Sequence, residues 1–512
     1  MTAAPGAANG DYLERVLKAR VYDVAIESPL ETATRLSRRL GNTVLLKRED
    51  LQPVFSFKLR GAYNKISNLA DSAARRGVIC ASAGNHAQGV ALAARRRGIA
   101  AVIVMPQTTP QIKVQAVIDL GGEALLHGDD YDAAYEHAVG VAQARNLVFV
   151  HPFDDPDVIA GQGTIGMEIA RQTGGDVDAV FVPVGGGGLI AGVGTYLKHL
   201  YPRVRIVGVN AADSTAMHDS LLAGRRVTLE RVGIFADGCA VRRVGEETFR
   251  LARHCVDEMM LVDTDEICSG IQDIFEDTRS IVEPAGALAV AAIKKYVARE
   301  RPSGRRFVAI NCGANMNFDR LRHVAERADL GAQREALLAV EIPERPGSFL
   351  EFCGALGRRG VTEFNYRFEA GHAAQIFVGF ALSQGRAERA QVVADLKRAG
   401  YGVVDMTDNE MAKLHVRYMV GGPARGLAHE RLYRFEFPER PGALLRFLGA
   451  IGTRWNISLF HYRNHGSDYG RVLAGIQVPP PTEAEFLEHL ADLHYPYTDE
   501  TANAAYRLFL GA

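Results

Sequence analysis

The chain has 512 residues, 47% hydrophobic and 23% charged, the profile of an ordinary globular protein with room for several domains of roughly 150 residues. Its 59 basic and 60 acidic residues leave a net charge of −1, so bulk charge draws it neither to nucleic acid nor to an anionic membrane. Cys80, Cys239, Cys255, Cys268, Cys312 and Cys353 show no CxxC spacing, which excludes a zinc knuckle or dithiol motif and leaves no metal site in view. The N-terminus lacks the basic and apolar regions of a secretory signal. No uncharged apolar run of about 18 residues is present, so the expectation is a cytoplasmic protein with no membrane span.

Residues 1–10 are small and Gly/Ala-rich and read as a loose tail. From about residue 40, strand and helix patterns alternate. "NTVLLKRE" reads as a strand, and "GAYNKISNLADSAARRG" as one helix ending at Gly77. "VICASAG" is a strand entering a turn, and "NHAQGVALAARRRG" a helix whose basic end suits the dipole. "IAAVIVMP", "DAVFVPVGGGG", "VRIVGVN" and "RRFVAINCGANMNF" are further strands, and "QIKVQAVIDLGG" a further helix. The alternation predicts an α/β, doubly wound sheet to about residue 330, with ligands held in the turns past the strand ends.

Beyond residue 330 the texture changes. "EIPERPGSFLEF", starting at 341, returns as "EFPERPGALLRF", starting at 436, with eight of twelve positions identical. Each copy reads as strand, tight turn, helix and strand. A second helix and a short strand lie between the copies. Two ferredoxin-like α+β modules are expected, at 335–420 and 430–512, after a first domain at 11–330.

Four local signals carry chemistry. In "VPVGGGGLIAGVG" four glycines, Gly185 to Gly188, follow a buried strand and open a helix. Backbone amides there suit a phosphate, but neither GxGxxG nor GK[ST] spacing is present. In "CASAGNHAQG", Ser82, Asn85 and the first helical amides can bind a carboxylate, though Asn85 alone would also serve as a plain helix cap. Lys58 sits between apolar groups in "VFSFKLRGA". It is either a solvated surface lysine or a buried amine with a lowered pKa, able to attack a carbonyl. Cys312, after a buried strand, is either an inert core thiol or a partner for a ligand ring.

Together "SFKLRGA", "SAGNHAQG", "VPVGGGGL", "FADGCAVRRVGEETFRL", "EPAGALA" and "CGAN" resemble the motifs of the pyridoxal-phosphate enzymes of the tryptophan-synthase-β fold type. Within these the chain resembles the threonine deaminase (threonine ammonia-lyase) family, in its long form with two ACT-like regulatory modules. The resemblance implies pyridoxal 5'-phosphate as cofactor and β-elimination of L-threonine, and also L-serine, to a 2-oxo acid and ammonia. It implies that Lys58 holds the cofactor as a Schiff base and later acts as the catalytic base. Phe57 would pack beside the cofactor ring, and Asn85 would bond its phenolic oxygen. Gly185, Gly186, Gly187, Gly188 and Leu189 would bind the phosphate, and Cys312 would face the ring nitrogen. Ser82, Gly84, Asn85 and His86 would receive the substrate carboxylate. Serine racemases of this fold type usually place a second serine beside Ser82. Ala83 stands there in this chain, which favours elimination over racemisation. For the modules, the resemblance implies isoleucine as inhibitor and valine as antagonist, with Tyr366 and Tyr462 near the effector pockets, and a homotetramer. A serine-preferring dehydratase, or a non-catalytic amino-acid sensor on a retired enzyme domain, are the alternatives.

Overall fold

The computed structural model describes residues 7–233, 235–368, 373–424, 426–438, 443–463, 469–493 and 495–510. The chain divides into two units, Met1–Ala328 and Asp329–Ala512. The first helix begins at Ala7, so part of the segment expected to be loose is helical, while residues 1–6 lie outside the described residues.

The first unit holds two sheets. One has six strands in the order Leu30–Thr32, Thr43–Arg48, Arg306–Asn311, Ala179–Pro183, Arg205–Ala211, Glu258–Val262. All its pairs are parallel except the first. The other sheet has four parallel strands in the order Glu123–Leu126, Ala101–Met105, Val78–Ala81, Val148–Phe149. The Val44–Arg48, Val78–Ala81, Ala101–Met105 and Ala179–Pro183 stretches are buried throughout, as strands covered by helices on both faces require. The larger core runs from Val44 and Phe181 to Ile293 and Ile310.

One expected helix is two. The chain is helical over Lys58–Ser67, turns at Asn68–Ala70, and resumes for one turn at Asp71–Ala74. The break is stabilised from outside. Arg97 donates to the carbonyl oxygens of Ile66, of Ser67 (2.7 Å) and of Leu69 (2.6 Å), taking up acceptors that a continuing helix would have used.

The second unit is one antiparallel sheet of eight strands. Their order is Gly402–Asp405, Glu335–Pro343, Ala373–Ala381, Val361–Arg367, Asn456–Arg463, Tyr469–Gln477, Glu430–Pro438, Tyr497–Asp499. The two βαββαβ modules therefore join edge to edge, through Phe364 opposite Tyr462 and Tyr366 opposite Phe460. The helices Ser348–Leu356 and Ala443–Ile451 cover the face that carries Phe364, Tyr366 and Phe460. The internal repeat is also visible in detail. Each module has a register shift at its bulge, beside Thr362 in one and Ser458 in the other, and the hydroxyls there donate to Glu335 and Glu430 respectively. The threonine of each C-terminal segment receives a strand amide, Leu337 N to Thr407 Oγ1 at 3.1 Å and Leu432 N to Thr501 Oγ1 at 3.0 Å. The second copy of the ERPG turn, 439–442, lies outside the described residues.

Candidate active site

Three turns meet in one cleft, each following the carboxyl end of a parallel strand, where an open α/β sheet leaves room for a ligand. They are 82–84 after Val78–Ala81, 184–187 after Ala179–Pro183, and 312–315 after Arg306–Asn311. Lys58 opens the helix Lys58–Ser67 and enters from the side. Its Nζ lies 5.3 Å from the Phe57 ring centroid and donates to the carbonyl oxygen of Pro152 at 3.1 Å. Burial holds its pKa below the ordinary lysine value, with Cys239, Cys312 and Glu283 pulling it back up. The sequence left a solvated lysine open as an alternative; the partly buried residue with a desolvated amine sets that alternative aside.

The glycine turn is a cradle made by the absence of side chains. A Cβ on Gly186 would collide with the Phe153 ring. One on Gly187 would lie 2.6 Å from Met217 Cε and 2.9 Å from Thr248 Cβ, and Gly187 also has φ of +98°. Gly188 starts the helix Gly188–Leu200, so its amide and those of Leu189 and Ile190 have no carbonyl one turn back. In the serine turn, Gly84 N donates to Ser82 Oγ at 3.3 Å and precedes the helix Asn85–Arg97. His86 Nε2 donates to Val150 O at 2.9 Å, which leaves Nδ1 unprotonated. Burial and then the nearby Lys58 push its pKa down to about 3, so the ring is neutral.

Asn85 is not the cap that its sequence context allowed: Gly84 holds the N-cap position, and no side chain caps the helix Asn85–Arg97. Asn85 Nδ2 donates to Glu283 Oε1 at 2.6 Å, and its Oδ1 accepts from Asn315 Nδ2 at 2.6 Å. One of its two amide hydrogens therefore serves Glu283 and the other is left for a ligand. Glu283 stands at the N-cap position of the helix Pro284–Glu300 without a capping bond from its side chain, and burial, followed by the charge of Asp237, raises its pKa to about 7. Cys312 is buried, its carbonyl oxygen accepts from Phe57 N at 3.2 Å, and burial lifts its thiol well above the usual range. A neutral thiol is a weak partner for a ring nitrogen and imposes no proton on it.

Direct contacts in the first unit link several of these positions: Phe57 N bonds Cys312 O, Lys58 reaches Pro152 O, Asn85 meets Glu283 and Asn315, and Phe153 lies against Gly186 and Gly188. Tyr366 and Tyr462 belong to the second unit. Tyr366 is buried, donates to Glu344 of the first ERPG turn and packs edge-on to Phe349 at 4.8 Å. Asn456 of the second module also donates to Glu344, at 3.0 Å. Several residues of the cleft had no role in the sequence reading: Glu283, Phe153, Asp154, Thr248, Cys239 and Asn315. "EPAGALA" contains Glu283, but nothing local marks it as the partner of Asn85, 198 residues away.

A desolvated lysine amine, a turn of helix-start amides and an amide side chain bound to a buried carboxyl of raised pKa are the features of an α/β enzyme that carries a phosphate-bearing carbonyl cofactor. The donor set fits pyridoxal phosphate. The amides at the start of the helix Gly188–Leu200 have no helical partner, close packing leaves no room for side chains at Gly186 and Gly187, and two buried atoms, Ser56 Oγ and His86 Nδ1, are without a partner. Residues 21–313 match the family model described as pyridoxal-phosphate dependent enzyme, and residues 326–416 and 422–510 both match the C-terminal regulatory domain of threonine dehydratase. The "L-threonine dehydratase biosynthetic IlvA" of Burkholderia multivorans is 57% identical over 98% of this chain and all of its own length. Its Escherichia coli namesake is 54% identical over all of this chain and 98% of its own. The processed form of threonine deaminase isoform 2 from Solanum lycopersicum superposes with a TM-score of 0.63 at 50% identity, over 64% of this chain and 95% of that one. Maize serine racemase gives 0.57 at 30% identity, over 62% and 96%. The chain belongs to the pyridoxal-phosphate dependent enzymes and, among them, to the biosynthetic threonine dehydratase family. Among the described residues no helix is long and apolar enough to cross a membrane, and no group of side chains is arranged to hold a metal ion.

Proposed function

We propose that this chain deaminates L-threonine to 2-oxobutanoate and ammonia, the committed step of isoleucine biosynthesis, in the cytoplasm and as a homotetramer. The observation that carries this reading is the desolvated amine of Lys58 beside the glycine cradle, in a chain whose full-length relatives carry the threonine dehydratase name. Likeness over both halves of the chain weighs against a retired sensor, and Ala83 weighs against a racemase.

When bound, pyridoxal phosphate supplies the electron sink for a carbanion at the substrate's Cα. Lys58 would anchor it, with Phe57 beside the ring, Asn85 on the phenolic oxygen and Cys312 facing the ring nitrogen. The amides of Gly185 to Leu189 would take the phosphate. Ser82 and the amides of Gly84 to His86 would hold the substrate carboxylate. Once released, Lys58 Nζ takes the α-proton, and its dry setting keeps a fraction of the amine neutral for that purpose. The β-hydroxyl then leaves. The freed enamine tautomerises and hydrolyses to the oxo acid and ammonia.

In the second unit, isoleucine binds as inhibitor and valine as its antagonist, beside Tyr366 and Tyr462 at the seam between the modules. Support comes from Glu344, which receives Tyr366 of its own module and Asn456 of the other, so a ligand there would touch both. The decisive experiment is the cofactor-loaded protein with L-threonine, and L-serine alongside, with and without isoleucine. We expect 2-oxobutanoate and ammonia from threonine, and less of both with isoleucine. No 2-oxobutanoate would overturn the catalytic reading; undiminished output with isoleucine would overturn the effector reading.

A further inference from the structure

Five consecutive residues that the cofactor reading does not use, His151 to Asp155, connect Lys58 to the glycine turn. Pro152 O receives Lys58 Nζ at 3.1 Å. The Phe153 ring fills the space beside Gly186, and its backbone lies where a Cβ on Gly188 would come within 3.1 Å. Asp155 caps the helix Pro156–Thr173 and pairs with Lys65 at 2.8 Å. His151 Nδ1 accepts the amides of Phe153 (3.2 Å) and Asp154 (2.8 Å), which closes the segment on itself.

Asp154 reaches furthest. Its carboxylate accepts the amides of Glu246 (2.8 Å), Glu247 (2.9 Å) and Thr248 (3.2 Å), the whole first turn of the helix Glu246–Cys255. That turn in turn grips the glycine cradle. Thr248 Oγ1 donates to Gly186 O at 2.6 Å, and Gly245 N donates to the same oxygen at 3.3 Å. Thr248 is fully buried. In a trans peptide the C=O and the following N–H point in opposite directions. Holding Gly186 O toward Thr248 therefore points the Gly187 N–H the other way, away from Thr248. Gly187, at φ of +98°, has no side chain to fix its own peptide, so an outside group must do so.

We infer that Thr248, braced by Asp154, is a positioning residue that sets the direction of the Gly187 amide and thereby the affinity of the cradle for the cofactor's phosphate. The inference rests on the reading of Gly185–Gly188 as the phosphate site. It assigns no chemistry to Thr248 or Asp154, because neither meets the reacting atoms.

The test is titration of the cofactor-free protein with pyridoxal phosphate, and separately with pyridoxal, which lacks the phosphate. Thr248→Val keeps the shape and removes the hydroxyl; Thr248→Ser restores it. The dissociation constant for pyridoxal phosphate should rise about tenfold in Thr248→Val and return to within about twofold in Thr248→Ser. Binding of pyridoxal should be the same in all three proteins, and thermal melting of the cofactor-free forms should coincide. Asp154→Asn, which weakens the brace without removing the hydroxyl, should give a smaller rise in the same direction. Unchanged pyridoxal-phosphate affinity in Thr248→Val would overturn the inference. So would an equal loss for pyridoxal, which would make the hydroxyl a general support of the cleft. Failure of the unsubstituted protein to bind pyridoxal phosphate would remove the cofactor reading itself, a result distinct from either.

Discussion

Lys58 and Arg60 lie two residues apart in one helix, and their surroundings are opposite. Every donor of Arg60 is used. Nε and Nη2 reach Glu49 at 2.8 Å, Nη1 reaches Glu168 at 2.6 Å and Thr164 at 3.1 Å, and Nη2 also reaches Ile26 O at 3.0 Å. Lys47 completes the cluster with bonds to Glu168 (2.6 Å), Ser28 O (2.7 Å) and Gln172 (3.0 Å). Two cations and two carboxylates, all buried, balance in charge and in hydrogen bonds. The Lys58 amine, by contrast, has a single carbonyl acceptor among the described residues and no carboxylate within ion-pair distance. A buried charge with all its partners is structural. Desolvation lowers the pKa of Lys47 as it does that of Lys58, but only Lys47 has a carboxylate and an amide oxygen to hold its proton.

This contrast predicts opposite responses to removal. Lys58→Ala should reduce threonine turnover by a factor of about 10⁴ or more, because both the anchor and the base are lost. Unfolding of the cofactor-free protein should shift by less than about 1 kcal/mol, or rise, because a desolvated ammonium is removed. Turnover close to that of the unsubstituted protein would sink the assignment. Arg60→Met should do the reverse, leaving Glu49 and Glu168 to share the single charge of Lys47 and costing about 3–5 kcal/mol in urea unfolding. A cost near that of Lys58→Ala would break the distinction between the two sites.

Glu283 sharpens the contrast, since it is a buried carboxyl on the Lys58 side of the divide. Its folded pKa is raised from the ordinary carboxylate range to about 7, so the folded state binds more protons than the unfolded state between about pH 4.5 and 7. Stability contributed at low pH is therefore lost as pH rises through that window, by up to about 3 kcal/mol. Glu283→Gln should flatten this loss and gain on the unsubstituted protein as pH rises from 5 to 8. Equal pH profiles in urea unfolding would show that Glu283 is ionised throughout.

How much of this was legible in the sequence follows from the range of each contact. Lys58, the four glycines and the Ser82–His86 turn carry their signals in neighbouring residues: apolar flanks, a glycine run, a strand-to-helix junction. Arg60 and Glu168 are 108 residues apart, Asn85 and Glu283 198, and Asp154 and Thr248 94, so no local pattern pairs them. The helix break at Asn68–Ala70 escaped for the same reason, because the Arg97 guanidinium that satisfies its carbonyls comes from roughly 30 residues further on. In the second unit the repeat announced two modules, but not that their sheets would fuse through Val361–Arg367 and Asn456–Arg463. Both of those strands have an unpaired edge within their own module, which is what the fusion removes.

Glu335, in the second unit, lies between the two extremes and gives the smallest test. It is buried and accepts from the Thr362 hydroxyl, and Arg417 lies 3.6 Å away but closer, at 2.7 Å, to the equally buried Glu363. Burial outweighs that arginine, and the pKa of Glu335 stands at about 7, with Glu363 adding to the rise. If Glu335 behaves as Glu283 does, the folded state again loses stability as pH climbs from about 4.5 to 7, and Glu335→Gln should be the more stable protein at pH 8. Removing the carboxylate also weakens the bond from Thr362, about 1 kcal/mol, so the net gain should stay below about 2 kcal/mol at pH 8 and vanish or reverse at pH 5. Urea unfolding at the two pH values decides it. A loss of several kcal/mol at both would mean that Arg417 holds Glu335 charged, and would move it to the structural side of the comparison.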